Sequence, residues 1–324
     1  MRSATRAIRE AVWKFGWAVA NVIDTLRRTW NRLSRSKQRG LTLQSIQHDG
    51  LTRNFLLYLP AQADTGAPLP LVLLFHGGAS NPEAFAASTL MHEIAEREGF
   101  IVAYPAGTAG RSGMTWSPGR NVVDRGVDDV DFARALIADL RRRCPVDPDR
   151  IYAAGLSIGG TLVYELACAL SADLAAVAVV AGVMTEFDRE PERPVPLLHI
   201  HGTNDGRVPL HGGRGRLTAA NNEWPPVQDG IDFWCEVNRC RDEPQVVRLI
   251  QGVTGHRYNG AADVELWLVE GGYHVWPGAT PTSSDQAAKS NPPTSLNASE
   301  KIWSFFAAHP RRQQTRAGTS AALP

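Results

Sequence analysis

The chain has 324 residues, 43% hydrophobic and 21% charged, with a formal net charge of +1. This is a globular composition with room for one large core or two small ones, and no stretch approaches the eighteen uninterrupted apolar residues of a membrane-spanning helix. The charge is uneven: residues 1–40 carry ten Lys and Arg against Glu10 and Asp24, while the remainder is near −7, which excludes nucleic acid as a partner of the main body.

In residues 1–40, Ile8, Val12, Phe15, Val19, Val22, Leu26, Trp30 and Leu33 recur at alternating four- and three-residue steps, the stripe of an amphipathic helix. Most of the arginines fall on the other side, together with Trp13 and Trp17. Two readings stand side by side. One is an interfacial helix for a peripheral membrane or polymer-granule surface, contacted through residues 1–39. The other is a solvated or self-packing extension. Phe15–Ile23 is a poor secretory signal, being short and followed at once by Asp24 and Arg27-Arg28.

From residue 41 the pattern changes. Leu41–Ile46 and Arg53–Leu59 are strand-like and flank the turn His48-Asp49-Gly50. Pro70–Phe75 is a continuous apolar run, hence a strand covered on both faces, and it ends in His76-Gly77-Gly78. Pro82–Glu98 is helical in pattern, Phe100–Tyr104 is a buried strand, and Gly107–Gly126 is a Gly-rich loop carrying Trp116. Val127–Arg143 is helical, with Asp128 or Asp129 as its N-terminal cap. The carboxylates Asp128, Asp129 and Asp131 read as caps and dipole complements, not metal ligands.

Arg150–Ala154 is the next buried strand. It breaks into Gly155-Leu156-Ser157-Ile158-Gly159 and then a helical stretch, Gly160–Leu170. Ala175–Ala181 and Val195–Ile200 are further buried strands, Pro226–Asn238 a helix, and Val246–Ile250 and Val264–Val269 strands. Asn297-Ala-Ser-Glu300 is a capping box opening a last helix to about His309. The polar tail, residues 311–324, reads as disordered.

Strands alternating with helices predict an α/β fold with a mostly parallel sheet and helices on both faces. Residues 41–310 form that domain. Only Gly182–Arg193 separates the two strands after the central helix, too few residues for a large cap domain. Cys144, Cys168, Cys235 and Cys240 show no C-x-x-C pair and no zinc spacing. They read as buried free thiols, with a Cys144–Cys168 bridge as the geometric alternative and a Cys235–Cys240 bridge left open.

Parallel sheets place their sites at the carboxyl ends of strands, and four such ends carry chemistry. Ser157 stands on a strand-to-helix turn with glycines where side chains would collide, the form of a nucleophile elbow. Asp205 follows the Val195–Ile200 strand in His201-Gly-Thr-Asn-Asp205. His274 follows the Val264–Val269 strand in Gly271-Gly-Tyr-His274. The three suit a nucleophile, its general base, and an acid that orients the base. Asp205 has a second reading as a turn former, with Glu270 as the reserve acid.

The oxyanion hole would combine the amide of Ile158 with Gly77, Gly78 and Ala79, where missing side chains admit substrate to the backbone. Trp116, Trp224 and Trp276 offer an aromatic wall for acyl or sugar groups, or packing. His76 either joins Trp116 and Trp276 in substrate binding or, like His199 and His201, serves structure.

His76-Gly-Gly, Tyr104-Pro-Ala-Gly107, Val127-Asp-Asp-Val130, Val146-Asp-Pro-Asp-Arg-Ile-Tyr152, Gly155-Leu-Ser-Ile-Gly159, His201-Gly-Thr-Asn-Asp205 and the run from Gly271 to Trp276-Pro277-Gly278 are found in register between Leu41 and Pro310. Together they resemble the poly(3-hydroxybutyrate) depolymerase and feruloyl esterase group of α/β-hydrolases. The order Ser157, Asp205, His274 is the α/β-hydrolase order.

The resemblance implies a Ser-Asp-His triad, no metal or organic cofactor, and hydrolysis of a carboxylic ester such as poly- or oligo-3-hydroxybutyrate or a feruloyl ester. Two features depart from it: Ile158 stands where many relatives have Asn or Ala, and a basic helix replaces the export signal of the group. Cytoplasmic and membrane-peripheral locations therefore stay open beside export. The alternatives are a serine peptidase of the same fold and a non-catalytic polymer- or surface-binding protein.

Overall fold

The computed structural model describes residues 40–110, 113–117, 126–217, 223–241, 243–279 and 296–311. The stripe of residues 1–39, the tail beyond residue 311 and residues 118–125 of the Gly-rich loop lie outside them. The fold belongs to the unit beginning at Leu41.

In chain order the main strands are β1 (Thr42–His48), β2 (Leu51–Tyr58), β3 (Leu69–Phe75), β4 (Ile101–Pro105), β7 (Val146–Leu156), β8 (Ala176–Val180), β9 (Leu197–Gly202), β12 (Gln245–Ile250), β13 (Val253–Tyr258) and β14 (Val264–Val269). β5 (Thr108–Gly110) with β6 (Gly113–Thr115), and β10 (Gly213–Arg214) with β11 (Glu223–Trp224), are separate two-stranded pairs. The large sheet has the order β1-β2-β4-β3-β7-β8-β9-β14-β13-β12. Its six central strands, β4 to β14 in that order, are mutually parallel. An antiparallel pair closes each edge.

Period-2 alternation divides the core. Leu71, Leu73 and Phe75 of β3 join one apolar cluster, and Val72 and Leu74 join the other. The first cluster takes Phe132 and Leu136 from α3 (Asp129–Arg143), Leu162 and Leu166 from α4 (Ile158–Ala169), and Ile231 and Trp234 from α5 (Val227–Val237). The second takes Phe85 from α1 (Pro82–Thr89), Ile94 from α2 (Met91–Glu98), and Ile302 and Phe306 from α6 (Ala298–Ala308). Every residue of β3, β4 and β8 is buried because both faces are covered. Residues 181–196, which connect β8 to β9, contain no helix. Among the described residues no helix is long and apolar enough to cross a membrane.

Two local features differ from expectation. The helix expected over Pro82–Glu98 is broken at Leu90, whose φ is 51°. The break frees the Thr89 carbonyl to accept a hydrogen bond from Ser299 Oγ of α6 at 2.7 Å. Strand β13 is the other. Its Gly255 reads as a breaker, yet a Cβ there would come within 2.9 Å of the Trp267 ring on β14, so the glycine makes room for a cross-strand tryptophan. The caps follow the sequence. Asp128 accepts from Asp131 N at 2.8 Å, and Asn297 accepts from Glu300 N at 3.2 Å.

Candidate active site

β7 delivers Ser157 and α4 begins at the next residue. Ser157 has φ 57° and ψ −124°, a strained conformation costing about 1–3 kcal/mol. The fold holds it there by a bond from Ser157 N to Val180 O at 2.9 Å, and by close packing that only glycine permits. A Cβ on Gly155 would lie 2.3 Å from Gly159 O, and one on Gly159 would lie 2.4 Å from Phe75 O. The turn is thereby pressed between α4 and the end of β3, with Oγ raised at the carboxyl edge of the sheet and the positive end of the α4 dipole behind it.

Asp205 and His274 come to the same edge from β9 and β14, which lie side by side. Backbone bonds lace their loops together: Thr203 N to Val269 O and Asn204 N to Gly272 O, both 2.9 Å. The Asp205 carboxylate is inaccessible to solvent. Its Oδ1 accepts from the amides of Arg207 and Val208, each at 2.8 Å, and its Oδ2 lies 2.7 Å from His274 Nδ1. Asp205 is thus both the turn former and the partner of the histidine. Burial opposes its charge, but the bonds from His274 and the backbone, with His201 nearby, outweigh burial and hold the carboxyl below its usual pKa. The His274 side chain is 12% exposed, and its Nε2 lies 2.9 Å from Ser157 Oγ. The reserve acid, Glu270, is exposed at the end of β14.

Facing these groups is the Gly77-Gly78 loop. A Cβ on Gly77 would lie 3.5 Å from Ser157 Cβ, and one on Gly78 would lie 3.5 Å from Ile158 Cγ2. The amides of Gly77, Gly78 and Ile158 reach no acceptor among the described residues. The Ala79 amide is occupied, donating to Met114 O at 2.9 Å, and so drops out of the expected set.

The family model described as esterase PHB depolymerase matches residues 53–189. Feruloyl esterase B of Piromyces equi is 27% identical over 235 residues, a match covering 69% of this chain and 42% of that protein. NocK of Nocardia uniformis subsp. tsuyamanensis, assigned as an esterase, is 30% identical over 266 residues, covering 74% of this chain and 75% of NocK. The chain belongs to the PHB depolymerase/feruloyl esterase family. Its fold is that of the α/β-hydrolases. The solved acetyl xylan esterase from Aspergillus awamori superposes with a TM-score of 0.59 at 13% identity, over 82% of this chain and 99% of that one. The chain spans less than half the length of the Piromyces relative.

In this family member the residues expected to contact substrate do something else. Trp116 is fully buried: its indole packs edge-on to Phe75 and donates from Nε1 to His76 O at 2.7 Å. Trp276 is 3% exposed, lies edge-on to Phe85, and donates from Nε1 to Ser299 Oγ at 3.0 Å. Because Ser299 Oγ in turn donates to Thr89 O, Trp276 ties the His274 loop to the break between α1 and α2.

His76 is also fully buried. Its Nε2 accepts from Gly107 N at 3.0 Å, so Nδ1 carries the proton and donates to Gly77 O at 2.8 Å. Burial lowers the pKa of His76 and keeps the ring neutral. No peptide here is cis, so holding the Gly77 carbonyl turns the Gly78 amide away from the ring. None of the three residues offers surface to a ligand. The two tryptophans are anchors, one for each loop, and His76 sets the glycine pair. Trp224 is half-buried on β11.

Asp129 is not a cap. It is buried against Arg53 at 2.6 Å and accepts from Ser117 N at 2.8 Å, securing the segment that carries Trp116. Nothing in the local sequence singles out that pair. All four cysteines are free thiols, and burial pushes the Cys168 thiol up to about 12. Among the described residues no group of three or more His, Cys, Asp or Glu is arranged to hold a metal.

Proposed function

We propose that the protein is a serine esterase that hydrolyses carboxylic esters through an acyl-enzyme on Ser157. The observation that carries this reading is the continuous chain from Ser157 Oγ through His274 to Asp205, with bonds of 2.9 and 2.7 Å, beside amides that no protein acceptor uses. His274 Nε2 takes the Ser157 proton as Oγ attacks the ester carbonyl. The charge that develops on the carbonyl oxygen is met by the amides of Ile158 and Gly78, a donor of this kind contributing about 3–4 kcal/mol. His274 returns the proton to the departing alcohol, and water releases the acid by the same route. Asp205 keeps the proton of neutral His274 on Nδ1 and stabilises the imidazolium.

The substrate class is an acyl ester on a bulky or polymeric alcohol, feruloyl or hydroxybutyrate esters being the first to try. The helix-free β8–β9 connection and the printed activity of the feruloyl esterase relative support it. Purified protein should hydrolyse p-nitrophenyl butyrate and be labelled at Ser157 by a fluorophosphonate. Ser157→Ala should lose both. Retained hydrolysis in Ser157→Ala would falsify the mechanism, and an ester panel then ranks the acyl groups.

A further inference from the structure

Beneath the acid turn lies a chain of buried groups that the mechanism above leaves unused. His199 and His201 alternate on β9 and so face the same side of the sheet, toward α4. Their rings stack with centroids 5.2 Å apart at 18°, and His199 Nε2 lies 3.0 Å from His201 Nδ1. Behind them Tyr164 of α4 places its hydroxyl 2.7 Å from His199 Nδ1. In front, His201 Nε2 lies 2.9 Å from Val208 O and 3.6 Å from Asp205 Oδ2. All of these groups are buried.

The chemistry gives the chain one direction. Val208 O can only accept, so His201 carries its proton on Nε2. In a neutral ring Nδ1 then accepts, which requires His199 to donate from Nε2. His199 Nδ1 therefore accepts, and Tyr164 donates. Every donor and acceptor is satisfied at zero net charge.

A proton added to His201 would reverse this order. His201 Nδ1 would become a donor, the His199 proton would move to Nδ1, and the Tyr164 hydroxyl would lose its only acceptor among the described residues, in a site without water. Burial drives both rings the same way, toward the neutral form. The titratable groups facing His201 are His199, Asp205 and His274, with Tyr164 behind His199. Its partner on β14 is Leu268.

We infer that Tyr164, His199 and His201 are positioning residues for Asp205: they pin His201 neutral against the acid turn, leaving His274 as the carboxylate's sole cationic partner. The chain also ties the helix that starts at the nucleophile to the loop that bears the acid. A charged His201 would compete with the imidazolium of His274 for the same carboxylate. The inference rests on the proposed catalytic roles of Ser157, His274 and Asp205.

The test uses the full chain. Nitrogen-15 spectra of imidazole-labelled protein at about pH 6 should show His199 and His201 neutral with the proton on Nε2. In Tyr164→Phe, which keeps the ring and removes one oxygen, kcat per fluorophosphonate-titrated site should fall about 3- to 10-fold with KM within about twofold. His201→Leu should fall further. His201→Gln, whose amide can donate to Val208 O and accept from His199, should recover most of the loss.

A charged ring or the opposite tautomer in the wild type overturns the inference, as does wild-type kcat in both Tyr164→Phe and His201→Leu. If the wild type neither turns over ester nor takes the fluorophosphonate, it is the proposed function that fails, while the nitrogen-15 spectra still report on the chain.

Discussion

The two sides of the candidate site are built from different materials. On the oxyanion side the working groups are backbone amides at Gly78 and Ile158. They are positioned by glycines that admit close contact and by a neutral histidine bonded to backbone at both ring nitrogens. On the acid–base side the working groups are side chains, Asp205 and His274, held by other titratable side chains and an indole–hydroxyl link. The first side is therefore vulnerable to volume, and the second to charge and protonation. This is the contrast that substitutions should expose.

The largest effect is expected where volume is added to the elbow. Gly159→Ala puts a Cβ 2.4 Å from Phe75 O and 2.5 Å from His76 O. Those are backbone atoms of the strand that ends in the oxyanion loop, and they cannot swing aside. A loss of about 3 kcal/mol or more is expected, read as a collapse in soluble yield or in the denaturant midpoint. A midpoint like that of the wild type would mean the elbow is not packed against β3 in this way.

Next comes the charge side. Asp205→Asn keeps the shape of the turn but offers His274 Nδ1 no carboxylate, and kcat for p-nitrophenyl butyrate should fall about 10⁴-fold with little change in melting temperature. If the loss were below tenfold, Asp205 would be only a turn former.

A third expectation concerns protonation. His76, His199 and His201 are held neutral, with pKa values below the ordinary 6.5. Below 6.5 the unfolded chain takes up protons that the folded chain refuses, so this stability is complete above 6.5 and is lost as the pH falls. Each group contributes a slope of up to about 1.4 kcal/mol per pH unit. Melting temperatures measured from neutral to mildly acidic pH should fall below that point, and less steeply in His201→Gln. A flat profile would show the histidines to be charged or solvated.

The smallest effect is expected from Trp276→Phe, which keeps the ring against Phe85 but removes the bond to Ser299 Oγ. A loss of about 1 kcal/mol should lower the melting temperature by about 2–4 °C and kcat by a few-fold, leaving KM alone. A larger rise in KM than fall in kcat would return Trp276 to the substrate surface.

Much of this site is legible in the linear order of residues. The elbow is a local conformation, and the glycines that permit it sit within two residues of Ser157. The acid and base each follow an apolar run that reads as a buried strand, so their arrival at one edge follows from parallel topology. Harder to read are the supports. Trp116 and His76 are 40 residues apart, and Tyr164 and His199 are 35 apart. Arg53 and Asp129 are separated by 76. A tryptophan near a reactive loop has the same appearance in sequence whether it faces ligand or core.

Gly255 shows the same limit in reverse, since a glycine that looks like a strand breaker is there because Trp267 lies across it. The division of Pro82–Glu98 at Leu90 likewise depends on Ser299, more than 200 residues away.

The sequence by itself determined the α/β alternation, the parallel core and the identity and order of Ser157, Asp205 and His274, because hydrophobic period, glycine spacing and caps act over a few neighbouring residues. Only the tertiary structure decided that Trp116, Trp276 and His76 support the loops instead of lining them, and that His199 and His201 form one neutral, directional chain behind Asp205. Burial and hydrogen-bond partnership belong to pairs brought together from distant strands, and no local pattern encodes which pairs will meet.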